Sequence, residues 1–219
     1  RSSDLMSRKL LILGAGGHGR VIADIIRRQE DAEFLGFLDD RCLGDVNGYP
    51  CLGPIRELER IISDSAHHRL GLIIGIGDNH TRRALQERLK PIVIKHNLYF
   101  ATVIDPSAVI SPQATLGEGT VVMPNAVVNN GAIVGKHVII NTAATVDHDC
   151  RVDDYAHLSP GVHLAGNVHI GEGTHLGVGA VAIPGINIGA WSVIGAGATV
   201  VRNIPDNVVA YGVPARVRS

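Results

Sequence analysis

The sequence predicts two domains of different class, a small α/β domain over residues 6–100 and a parallel β-helix over residues 101–219. Three observations carry that expectation. Large aliphatic residues stand six apart in seventeen consecutive hexads, at Ile104, Ile110, Leu116, Val122, Val128, Val134, Ile140 and onward to Ile194 and Val200, with only Ala182 smaller. Four residues after these anchors come small or β-branched side chains such as Ala108, Ala126, Ala144 and Cys150. The first hundred residues lack that period and carry strand, glycine-turn and helix signals instead. A strict short period marks a solenoid, because one repeat cannot bury its apolar face alone and must stack on the next.

Residues 1–5, Arg-Ser-Ser-Asp-Leu, precede a start at Met6 and read as a cloning remnant. Residues 9–13 form an apolar run that enters Gly14-Ala-Gly16-Gly17-His18-Gly19, and helical spacing follows over 21–28. Glycines spaced in this way let backbone N–H groups approach a phosphate over a helix N-terminus, which makes Gly16, Gly17 and His18 candidate ligand contacts. His18 either bonds a phosphate or sugar or caps the helix. A second strand at 34–38 ends in Asp39-Asp40, about twenty residues on, where a carboxylate can meet ribose hydroxyls. Residues 54–62 read as a helix. A third apolar run at 70–76 leads into Gly77-Asp-Asn-His and another helix, with Arg82 and Arg83 in its first turns either solvated or touching ligand. His67 and His68 fall in a polar loop. These pieces make a βαβαβ unit. The hexads begin before a second mononucleotide half can form, so the domain suits one nucleotide better than a dinucleotide.

In the second half, Gly117, Gly135, Gly171, Gly177, Gly189 and Gly195 follow their anchors directly, and Asn129, Asn141, Asp147 and Asp153 take the equivalent place. Such residues tolerate tight corners, so the unit is a short strand plus a turn. Three strands per coil give a triangular helix of eighteen residues per coil. Coils stack about 4.8 Å apart when adjacent strands pair.

Composition removes several function classes. A net charge of −1 supplies no field for nucleic acid or an anionic membrane. No apolar run approaches the roughly 20 residues a membrane span needs. Cys42, Cys51 and Cys150 are too few and scattered for a disulfide framework or zinc site, which fits a reduced cytoplasm. Aromatic residues make up only 4%, as expected of a core filled by thin stacked aliphatics.

The hexads resemble those of hexapeptide-repeat acyltransferases, and that resemblance implies a left-handed β-helix. Together with Gly-x-Gly-Gly-His-Gly, Phe-Leu-Asp-Asp at 37–40, Ile-Gly-Asp-Asn at 76–79, the Asn-Thr-Ala-Ala-Thr-Val-Asp-His-Asp-Cys segment at 141–150 and the closing segment 210–216, the chain resembles bacterial sugar acetyltransferases of the NeuD/PglD type. This implies a Rossmann-like N-terminal domain that binds a nucleotide sugar through Gly16, Gly17, His18, Asp39, Asp40 and Gly77. It also implies a homotrimer with acetyl-CoA between neighbouring helices and no metal. His148 is then the proton acceptor and Asp149 raises its basicity, while His157, Gly166, Val178 and Ala196 lie along the coenzyme.

The chemistry agrees. Acyl transfer to an amine or hydroxyl needs a base and donors for the oxyanion, and histidine titrates near neutrality. The expected activity is acetyl-CoA-dependent N-acetylation of a nucleotide-activated amino sugar, first among them a UDP-4-amino-4,6-dideoxy-N-acetylhexosamine of the bacillosamine type. The alternatives are GDP-perosamine N-acetylation, O-acetylation of sialic acid or a related sugar, and a non-catalytic trimeric scaffold. His157, His163, His169 and His175 recur at one place in four hexads, but successive hexads face different sides, so a metal cluster is not expected and a solvated outer face is; His157 is the exception, because the resemblance places it near the acetyl-CoA thioester. Gly166 serves a pantetheine arm or a turn. Cys150 fills an inward small-residue place.

Overall fold

The computed structural model describes residues 7–42, 44–63 and 70–218. The expected remnant at 1–5 and the pair His67 and His68 lie outside the described residues. The chain divides into two compact units, Arg1–Val103 and Ile104–Ser219.

The first unit is a parallel five-stranded sheet with helices. It runs β1 (Arg8–Leu13), α1 (Gly17–Arg27), β2 (Ala32–Leu38), β3 (Cys51–Gly53), α2 (Leu58–Ser63), β4 (Gly71–Ile74), α3 (Asn79–Lys95) and β5 (Tyr99–Phe100). The strand order is β3-β2-β1-β4-β5. β1 is central because Leu10–Leu13 is apolar on both faces, and all four residues are buried. The short edge strands β3 and β5 escape periodicity analysis, since three and two residues show no alternation. The helix expected at 54–62 begins as a 3₁₀ turn, Ile55–Glu57, and continues as α2. Close packing at the glycine turn sets its geometry. A Cβ on Gly19 would collide with the carbonyl oxygen of Gly14, and one on Gly75 would fall 2.9 Å from Gly19 Cα. Only glycine lets β1, β4 and α1 meet this closely.

The second unit is a triangular parallel β-helix. Two-residue strands pair in strict steps of eighteen, as in Val127↔Thr145, Thr145↔His163, His163↔Val181 and Val181↔Thr199. The first face starts at Val103–Ile104, the second at Val109–Ile110 and the third at Thr115–Leu116. Each anchor is the second residue of its strand and points inward with the small residue four places on, so Val146, Leu164, Ala144, Cys150 and Ala156 share one core. The last coil is two residues short: Ile188 bridges Ile204, and Ile194 pairs with Ala210. That shortening ends the hexad register after Val200. The hairpin Val209–Tyr211 with Arg216–Arg218 closes the first face.

Cys42 and Cys51 are joined as a cystine, with Cα atoms 6.4 Å apart. A count of three scattered cysteines does not anticipate that pairing; the turn between β2 and β3 brings the two together.

Candidate active site

The corner between the second and third faces carries the candidate pair, His148 and Asp149. Strand Thr145–Val146 delivers the chain into the turn Asp147-His148-Asp149, and strand Arg151–Val152 leaves it. Asp149 adopts a left-handed conformation, φ 58°, which aspartate tolerates better than most residues. This turns its carboxylate back onto its neighbour: His148 Nδ1 and Asp149 Oδ2 lie 2.9 Å apart. The corner is held from two sides. Asp147 Oδ1 accepts from the His148 backbone N–H at 2.8 Å and from Asn129 Nδ2 at 2.9 Å. The Asn167 N–H donates to the His148 carbonyl at 3.0 Å.

The electrostatics follow. The bond to Asp149 and the charge of Asp147 raise the His148 pKa above its ordinary value. Asp147 is held below the usual carboxylate range by the His148 N–H and Asn129. The ring is exposed, so Nε2 stays reachable while Nδ1 is engaged. Such a pair can accept a proton at Nε2 and stabilise the resulting imidazolium. Cys150 next door is buried, its Sγ donates to the Ala165 carbonyl, and burial pushes its thiol pKa up. It packs among the small inward residues of the core.

The coenzyme candidates occupy more than one place. Gly166 lies directly above His148, and a Cβ there would fall 2.5 Å from ring atoms Cε1 and Nε2. Val178 and Ala196 stack eighteen apart on a different corner, between the first and second faces, and both are exposed. His157 lies on the first face, its Nε2 3.2 Å from Asn141 Nδ2 and its ring stacked on His175 with centroids 4.7 Å apart. The histidines expected on the outer face are more engaged than a solvated surface requires. His163 Nδ1 meets Thr145 Oγ1 at 2.9 Å, His175 Nε2 meets Ser159 Oγ at 2.9 Å, and His169 Nε2 meets Asp153 Oδ2 at 2.8 Å. Among the described residues, no group of three or more His, Cys, Asp or Glu side chains is placed to hold a metal ion. No helix among them is long and apolar enough to cross a membrane.

In the first unit, Gly16 caps α1, and a Cβ on Gly16 or Gly77 would meet nothing within 4 Å. At Gly17 the nearest atom is the Arg20 guanidinium, 4.0 Å away. The fold leaves these three positions open. Asp39 instead ties the turn together: Oδ2 accepts from the Ala15 N–H at 2.7 Å and Oδ1 from the Arg41 N–H at 2.8 Å. Asp40 Oδ1 accepts from the Ile55 N–H at 2.9 Å and borders a cavity of about 300 Å³ with Ile76, Thr81, Leu85 and Arg88. His18 is half-buried, and burial together with the charge of Arg82 lowers its pKa to about 4, so it is neutral at physiological pH.

Arg82 and Arg83 part company. Arg83 pairs with Glu87 on the open face of α3. Arg82 is 1% exposed and donates to the carbonyls of Ile76 and Gly77 and to Asn79 Oδ1. A polar helix start in the sequence gives no sign of this, because the turn that covers Arg82 is built by β4.

The family described as the PglD N-terminal domain matches residues 9–89. The acetyltransferase domain of PglB from Neisseria gonorrhoeae is 39% identical, with a TM-score of 0.87 over 97% of this chain and 100% of that one. PerB from Caulobacter crescentus, solved with CoA and GDP-perosamine, is 39% identical with a TM-score of 0.86 over 96% and 97% of the two chains. UDP-N-acetylbacillosamine N-acetyltransferase of Bacillus subtilis is 43% identical over 116 residues, 51% of this chain and 50% of that protein, so the match spans about half the length of this curated relative. With likeness along nearly the whole chain, a Rossmann-like first unit and a left-handed β-helix, this protein belongs to the PglD-type family of hexapeptide-repeat sugar acetyltransferases.

Proposed function

We propose that the chain is an acetyl-CoA-dependent N-acetyltransferase acting on the amino group of a nucleotide-activated sugar. The single observation that carries this reading is the exposed His148–Asp149 pair, a base oriented by a carboxylate at 2.9 Å with its second nitrogen open. The relatives add support, since PerB was solved with CoA and GDP-perosamine, and another structure of the N. gonorrhoeae domain was solved with acetyl coenzyme A. His148 Nε2 takes the proton that the sugar amine sheds as its nitrogen bonds to the thioester carbonyl carbon. It returns that proton to the sulfur as the C–S bond breaks. Asp149 keeps Nδ1 engaged throughout and balances the transient imidazolium. The chain needs no covalent intermediate.

Gly16, Gly17, His18 and Gly77 form the floor for the nucleotide phosphates: the glycines are sterically open and neutral His18 can donate or accept. Asp40 beside its cavity is the residue placed to read ribose or base, with Asp39 shaping the turn. The preferred substrate is a UDP-4-amino-4,6-dideoxy-N-acetylhexosamine, by kinship with the bacillosamine enzyme, and GDP-perosamine is the second choice.

A homotrimer fits the distribution of residues. His148 lies on one corner of the prism while Val178 and Ala196 line another, so a coenzyme touching both sets is most simply held between two copies. A cytoplasmic reaction fits the proposed substrates, acetyl-CoA and a nucleotide sugar, although the Cys42–Cys51 cystine departs from the reduced cysteines expected there. The test is a thiol-release assay with acetyl-CoA against UDP-, GDP- and CMP-amino sugars and sialic acid. CoA release with a nucleotide amino sugar and an amide product is expected. An ester product from sialic acid would replace this reading with O-acetylation, and no release with any acceptor would leave a binding scaffold.

A further inference from the structure

The reactive pair is seated between two glycines, one coil before it and one coil after. A Cβ built on Gly131 would fall 2.6 Å from Asp149 Oδ1, and one on Gly166 would fall 2.5 Å from both Cε1 and Nε2 of His148. Both distances are far inside carbon contact, so any side chain at either position must displace the dyad.

The backbone alone does not explain these glycines. Gly131, Asp149, Asn167 and Gly185 form one column of left-handed corners with φ 72°, 58°, 59° and 73°. Asp149 and Asn167 show that the column accepts side chains. At Gly185 a Cβ would meet nothing within 4 Å, so Gly131 differs from it only in what lies above. Gly166 has no left-handed φ, and its column neighbours are Asn130, His148 and Pro184. What the two glycines have in common is the dyad.

We propose that Gly131 and Gly166 are positioning residues of the reaction: the first admits the Asp149 carboxylate to His148 Nδ1, and the second keeps the Nε2 edge of the ring open to the proton it receives. This rests on His148 being the base. It adds to the coenzyme-lining role that the family resemblance implies for Gly166, because the space a side chain would take there is filled by the His148 ring. A misplacement of about 1 Å in a catalytic group costs on the order of 10²-fold in rate.

The experiment compares Gly166→Ala, Gly131→Ala and Gly185→Ala in the full chain, each also combined with His148→Ala, using acetyl-CoA and the amino-sugar nucleotide the unaltered protein turns over fastest. Gly166→Ala is expected to lower kcat by about 10²-fold with little change in KM for acetyl-CoA, and to add no further loss to His148→Ala. Gly131→Ala is expected to lower the pH at which the His148 C2 proton titrates by NMR, a signal assigned by its loss in His148→Ala. Gly185→Ala shares the corner strain but is expected to leave both readouts unmoved.

A raised KM for acetyl-CoA with kcat intact, an equal loss in the His148→Ala background, or a Gly185→Ala effect matching Gly131→Ala would overturn the proposal. If Gly166→Ala does not fold, removing the ring should restore folding in the double variant, and failure to do so counts against the proposal. Full turnover by His148→Ala would instead sink the base assignment, and the titration would still decide whether Gly131 seats the carboxylate.

Discussion

Replacing Arg82 by methionine tests how the turn after β4 is held. The guanidinium is 1% exposed and donates to Ile76 O at 3.2 Å, Gly77 O at 3.0 Å and Asn79 Oδ1 at 2.8 Å. Methionine keeps the stem's packing and removes the donors. An orphaned buried acceptor costs about 1–3 kcal/mol. Ile76 and Gly77 are half-buried and can recover water, whereas Asn79 is buried, so the total is about 1–3 kcal/mol. All α-helices among the described residues lie in the first unit, and the single tryptophan, Trp191, lies in the second. Urea unfolding followed by circular dichroism at about 222 nm therefore reports the first unit, and tryptophan fluorescence the β-helix. With a slope of about 1–1.5 kcal/mol per M for a unit of this size, the helical midpoint should fall by about 0.7–3 M, and the Trp191 transition should move less. The His18 pKa should also rise from about 4, because the Arg82 charge is gone, yet stay below its ordinary value because burial is the larger cause. A helical midpoint within about 0.5 M of the unaltered protein would refute the reasoning and return Arg82 to a dispensable packing role.

His148→Ala should lower kcat by about 10²–10⁴-fold with ligand affinities kept, as measured by steady-state kinetics and calorimetry. Asp149→Asn removes the larger cause of the raised His148 pKa, so the acidic limb of the rate profile should move to lower pH, and a limb that stays in place would contradict the pairing. His18 has a folded pKa of about 4, depressed below its unfolded value of about 6.5, so its contribution to stability is complete above that upper value and is lost as pH falls toward the lower one. The loss reaches about 3 kcal/mol at most, and His18→Asn should flatten urea midpoints across that window. Leu158→Ala, in the β-helix core, should cost about 2–5 kcal/mol, read from the Trp191 transition, with the helical signal as the internal control. Light scattering should give about three times the 23.2 kDa chain mass, and an active monomer would refute the shared corner site.

The solenoid was legible because its physics is local and repeated. A buried aliphatic at each sixth residue and a small residue four places on can be satisfied in one way only, and the residue after the anchor marks the corner. The N-terminal strand-turn-helix could be read from Gly14 to Gly19 because its signals are local too. His148 and Asp149 could be named as candidates because they are adjacent, but their contact was not legible: it depends on the left-handed corner at Asp149 that turns the carboxylate onto the ring.

What the sequence could not reveal depends on partners brought from elsewhere. Asp39 is a candidate ribose ligand by spacing, and the folded turn gives its oxygens to Ala15 and Arg41. Arg82 looks like half of a solvated arginine pair until β4 and its turn cover it. That the His148 ring lies against Gly166 appears only when the coils stack, and Gly131 carries no mark at all in the sequence. Periodicity thus determines which residues face inward and where the chain bends, because those are properties of one coil. Which side chain lies over which glycine is decided only when coils stack with an offset of eighteen residues, since the contact belongs to neither segment alone.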